Sequence, residues 1–211
     1  MPVTVKDVQK RLKHGGKLHN CTAQTTRFEL PFDLKRLEVV WNEKAWTPRT
    51  YLRQYAVVSN NRIVLYQRLF QKFRNLTTNL IESRELDKCI GDLLIEGNVP
   101  RDRLAQLRDL TGTADLEQLE PQLFYAFCAV VERLVAGKSA GACGGTRKGS
   151  TQKRLGDLEE CRRQALESAD FAGLQYKLRD VNLKEGLARL LAAFTEEAAR
   201  MQTGLKLSSR D

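Results

Sequence analysis

Histidine is nearly missing from this chain. His14 and His19 are the only two in 211 residues, and both fall in a basic head that also holds Gly15 and Gly16. The commonest general base is therefore scarce. Neither a G-x-S-x-G elbow nor an H-E-x-x-H helix is present, so the usual hydrolase and metalloprotease kits are excluded. Cysteines number five, an odd count with no C-x-x-C pair, which rules out a fully paired disulfide framework. His14, His19 and Cys21 supply three possible metal ligands close together but no fourth at a zinc spacing. Runs of about 18 apolar residues are absent too, so no membrane span is expected. The opening MPVTVKDVQKRLKHGG lacks the apolar centre of a secretory leader. Cytoplasmic residence in a reducing compartment is the expectation. Without a secretory leader, the sequons at Asn20 and Asn75 read as chance matches. VAGKSAGACGG is not a phosphate loop, because Glu132 stands where the first glycine is required and the segment follows a helix rather than a strand.

What the chain has in excess is positive charge, unevenly placed. The net charge is +9. Residues 1–75 carry 15 basic and 5 acidic side chains, residues 76–136 carry 6 and 11, and residues 137–211 carry 14 and 10. A basic head suits nucleic acid, an anionic membrane face or an acidic protein polymer such as tubulin. The candidate contacts are Lys6, Lys10, Arg11, Lys13 and Lys17 in the head, Arg62, Arg68 and Lys72 on one helix, and Arg147 and Lys148 near a glycine-rich stretch.

Apolar spacing is helical almost throughout, and an all-α fold of seven or eight helices is expected. Val5, Val8 and Leu12 mark a first helix ending at Gly15–Gly16. RFELPF alternates but is cut short by Pro31. Asp33 caps a helix expected through Leu34, Leu37, Trp41 and Ala45. Thr47-Pro48 is a cap followed by proline at the first helical position. Ile63 to Phe73, Leu86 to Leu94 with Ser83 as cap, Leu104 to Leu110, and the strongly apolar 119–136 follow as amphipathic helices. GKSAGACGGTRKGST (137–151) reads as a linker, and residues 152–169 and about 173–203 as two more helices, with Gly186 weakening the second. The organisation is then a basic segment at 1–60, a helical core at 61–136, a glycine-rich linker at 137–151 and a helical segment at 152–211. Cys89 and Cys128 fall on apolar stripes and read as small buried hydrophobes.

Two helix–loop–helix units stand back to back between residues 63 and 135. With Arg74 as position 1 of the first loop, Ile81 is position 8 and Glu85 position 12. With Gly112 as position 1 of the second, Leu119 is position 8. The loop starts are 38 residues apart. This resembles a paired EF-hand, over about a third of the chain. The resemblance implies a short β contact between the loops at their apolar position 8, and a groove that receives a partner helix. It also implies a hard-cation cage at positions 1, 3, 5 and 12 with glycine at 6. Here those positions are Arg74, Leu76, Thr78, Glu85 and Asn79, then Gly112, Ala114, Leu116, Leu123 and Glu117. Only Glu85 matches, so a calcium-independent pair with no bound metal or cofactor is expected.

The expected function is a non-catalytic interaction or scaffold protein, set on a cytoskeletal assembly such as a microtubule or cilium, with a protein partner. The alternative is a basic helical RNA-binding protein, viral or cellular. An enzyme is the third reading and has the least behind it. The expected core is Leu65, Leu69, Phe70, Phe73, Ile81, Leu86, Ile90, Leu93, Leu104, Leu107, Leu110, Leu119, Phe124, Phe127, Val130, Val131 and Leu134.

Overall fold

A computed structural model describes residues 26–38, 46–94, 99–136, 171 and 173–208. The fold is an all-α bundle with two very short antiparallel ribbons. Lys6, Lys10, Arg11, Lys13, Lys17, Arg147 and Lys148, the first helix, the 137–151 linker and the 152–169 helix lie outside the described residues.

The chain enters as strand β1 (Arg27–Phe28), followed by a 3-10 turn at Leu34–Leu37. Asp33 caps that turn as expected, its carboxylate accepting from the Lys35 N–H at 3.0 Å. The described part of the longer helix expected there stops after one turn, because Glu38 is extended (φ −65°, ψ 146°). Helix α1 (Pro48–Tyr55) begins on a capping box: Thr47 and Thr50 satisfy each other's amides, and Pro48 occupies the first position. Strand β2 (Ala56–Val57) pairs with β1. Helix α2 (Asn60–Phe73) starts three residues before the expected Ile63.

The centre then runs through β3 (Ile81–Glu82), a 3-10 turn at Ser83–Glu85, α3 (Leu86–Leu93), α4 (Arg101–Leu110), β4 (Gln118–Leu119) and α5 (Pro121–Val131). Helix α5 continues as a π-helical turn, Glu132–Ala136. The expected single helix at 173–203 is instead two pieces, α6 (Leu174–Lys177) and α7 (Glu185–Ser208), separated by irregular backbone. Gly186 lies in the first turn of α7, not in its middle. A Cβ there would meet the Pro48 ring at 3.3 Å, so glycine allows α7 to close on α1.

One contiguous core runs from Phe28 to Ala198. Its axis is α5, buried from Leu123 to Val131 except at Tyr125, and α1, α2, α3 and β2 pack around it. Burying each such Leu, Val or Phe contributes about 1.5–3 kcal/mol. Of the expected core residues, Leu65, Phe73 and Leu110 are half-buried at its edge, and the rest are buried. Tyr51 and Leu52 of α1 and Phe28, Phe171, Leu174, Leu190 and Phe194 from the two ends of the chain join the same core.

The C-terminal part is tied in by Arg133, on the π-helical turn. Its Nε donates to Glu197 of α7 at 2.8 Å, and its guanidinium lies 5.5–5.7 Å from the ring centres of Phe28, Phe171 and Phe194. A charge removed from water is held there by an opposite charge and three ring faces. Cys89 and Cys128 are free and buried. Burial, then Glu85 and Asp92, pushes the Cys89 thiol up to about 12. Burial likewise raises Cys128 and, with Glu132, the Tyr66 phenol.

Candidate functional site

The paired loops lie where α2, α3, α4 and α5 meet. The expected contact is present: Ile81 pairs with Leu119 and Glu82 with Gln118 in antiparallel register, and the Ser83 N–H donates to Glu117 O at 2.8 Å. Ile81 and Leu119 are fully buried. One apolar side chain from each strand, Ile81 and Leu119, is buried in the core beneath, while Glu82 and Gln118 are half-buried, which sets the register.

The first loop is closed by local side chains. Asn75 Oδ1 accepts from the Thr77 N–H at 2.9 Å, and Asn75 Nδ2 donates to Glu82 at 2.9 Å. Arg74 donates to the Asn79 side chain. Asn79 turns the chain with φ +56°, a left-handed conformation that asparagine tolerates better than most residues. Leu76, at loop position 3, is 84% exposed. Glu85 is paired with Lys88 at 2.9 Å. Ser83 does not cap α3 as expected; its hydroxyl reaches across and donates to Leu116 O.

The second loop is closed from its own entering helix. Arg108, in the last turn of α4, places Nη2 at 3.1 Å from Ser83 Oγ, 3.3 Å from Thr113 O, 3.1 Å from Ala114 O and 3.2 Å from Leu116 O. Its Nε is buried without a hydrogen-bond partner. Buried Thr111 donates to Leu107 O at 2.8 Å and lies 3.0 Å from Thr113 Oγ1. Gly112 supplies the left-handed residue (φ +67°) that ends α4. Arg108 belongs to no motif in the sequence. The available signal was a cation in a last helical turn, beside carbonyls that have no helical partner.

The described basic residues are largely engaged within the molecule. Arg49 and Arg53 of α1 pair with Asp115 at 3.3 Å and Glu120 at 2.6 Å, bringing α1 onto the acidic second loop. Arg62 pairs with Glu132 at 3.3 Å and Lys72 with Asp92 at 2.5 Å. Tyr66 also donates to Glu132, at 2.6 Å. Arg68 projects from the exposed side of α2 and lines an open cleft with Val64, Gln67, Gln71, Lys72 and Tyr125. Val64 is 48% exposed there. Among the described residues, no three His, Cys, Asp or Glu side chains converge on a metal position, and no helix is long and apolar enough to cross a membrane.

No family model, curated protein or solved structure matches this chain.

Proposed function

We propose that this protein is a non-catalytic interaction or scaffold module built on a calcium-independent, EF-hand-like pair of helix–loop–helix units. The observation that carries the reading is the Ile81–Leu119 ribbon joining two loops whose cage positions hold leucine, alanine and arginine. A hard divalent cation takes six to eight oxygen ligands, which Leu76, Ala114 and Leu116 side chains do not offer.

Helix α5, which would line a groove for a partner helix, is wrapped by α1 and α2 of the same chain. Contact with a partner then falls on the exposed side of α2, where Arg68 and Lys72 flank Val64 and Tyr125. Arg68 beside an apolar strip, next to a Lys72 already paired with Asp92, fits an acidic protein surface, and a cytoskeletal assembly such as a microtubule or cilium is the setting proposed. RNA is less favoured, because Tyr66, Phe70, Phe124 and Phe127 are in the core, which leaves Phe32 and Tyr176 as the strongly exposed rings among the described residues.

The full chain should pellet with polymerised tubulin, and Arg68→Glu should reduce the pelleted fraction several-fold. Calcium at micromolar levels should give no saturable heat. Saturable calcium binding would overturn the module reading. Equal pelleting of wild type and Arg68→Glu would overturn the assigned face. A salt-dependent RNA mobility shift with no tubulin pelleting would favour the alternative.

A further inference from the structure

The four oxygens around Arg108 Nη2 outnumber its protons. That nitrogen carries two N–H bonds, yet Ser83 Oγ, Thr113 O, Ala114 O and Leu116 O all stand 3.1–3.3 Å away. Two protons serve four acceptors only as shared, bent bonds, so hydrogen-bond geometry alone does not account for the cluster. Positive charge does, since each carbonyl turns its negative end inward. The oxygens come from the loop after α4 and, through Ser83, from the loop of the other unit. The 3.1–3.3 Å radius exceeds the 2.3–2.6 Å of calcium ligands and fits a nitrogen cation.

We infer that Arg108 is the resident cation of the second loop. Its guanidinium fills an oxygen-lined site that, once the side chain is removed, accepts a small monovalent guanidinium-type cation. The buried, unpartnered Nε fits this role, because the side chain gives up one hydrogen bond to deliver Nη2 to the oxygens. Tethering removes the dependence on free metal: the charge arrives with the fold and does not leave. This deepens the calcium-independent reading and rests on it for the function of the loops, while the oxygen cluster itself is independent of any partner.

The test is chemical rescue of the full chain, followed by thermal midpoint. Arg108→Ala should lower the midpoint by about 6 °C, from loss of a charged group's hydrogen bonds. Methylguanidinium chloride at about 10 mM should return about 3 °C to Arg108→Ala if it binds near millimolar affinity. Wild type and Arg101→Ala, whose side chain is exposed on α4, should not respond, nor should any of the three respond to sodium chloride at equal concentration. A midpoint of Arg108→Ala within 1 °C of wild type, or equal responses of all three proteins, would overturn the inference. If Arg108→Ala does not fold, nitrogen NMR of wild type decides: slowed rotation about the Arg108 Cζ–Nη2 bond supports the inference, and free rotation overturns it. Calcium binding by wild type would sink the module reading and leave the rescue result standing.

Discussion

The two loops share a ribbon and a place in the fold but are closed by different means. The first is held by short-range contacts: Asn75 bonds two and seven residues ahead, and Arg74 bonds Asn79 within the same loop. The second is held from outside its turn by Arg108 and by Ser83 of the other unit. Exposed local side-chain bonds each add little, because water competes for both partners. A guanidinium surrounded by carbonyls at a half-buried position adds more, since removing it leaves several carbonyls facing one another. The two loops thus show two ways to close a helix–loop–helix unit, local side-chain bonds or a charge supplied from a neighbouring element.

The largest effect should come from the support both loops share. Phe127 is fully buried in α5, and Phe127→Ala should cost about 3–5 kcal/mol, measured by denaturant unfolding. An unchanged midpoint would contradict a common core. Next, Arg108→Ala should cost about 1.5–3 kcal/mol, whereas Arg74→Ala, which loses one side-chain bond to Asn79 rather than a cluster of four oxygens, should cost about 1 kcal/mol. Equal losses would erase the contrast between the loops. Backbone strain gives a smaller probe of the first loop alone. Asn79→Gly should change stability by a few tenths of a kcal/mol, while Asn79→Val should cost about 1–2 kcal/mol at this left-handed position.

A final measurement bears on the core under both loops. Cys89, Cys128 and Tyr66 hold their protons more tightly folded than unfolded. Groups whose folded proton affinity is raised contribute stability that is present below their unfolded values and lost as pH rises. Stability should therefore decline as pH climbs from about 9 toward 12, with Cys89 titrating near the top of that window. Cys89→Ala should flatten part of the decline. A profile flat through pH 11 in wild type would contradict the burial of these groups.

Much of this was legible in the residues. Thr47-Pro48 starts a helix because a hydroxyl cap and a proline each solve a problem specific to a first turn. Ile81 and Leu119 meet because a ribbon between two hairpins needs one inward apolar residue from each. Apolar spacing after Asp33 predicts a helix, yet only a 3-10 turn forms in its described part. The helix expected across 173–203 breaks at 178–184 for a similar reason: Val181 and Leu183 keep the spacing but are only half-buried.

Charge was the least legible quantity. Arg49 and Arg53 meet Asp115 and Glu120 within the same molecule, pairs that residue order does not announce. Residue order by itself determined where most helices start, which faces are apolar and which side chains stand at the loop positions, because each depends on neighbours within a turn or two. Only the tertiary structure decided which oxygens Arg108 gathers and which cations remain outward, because long charged side chains choose partners through space.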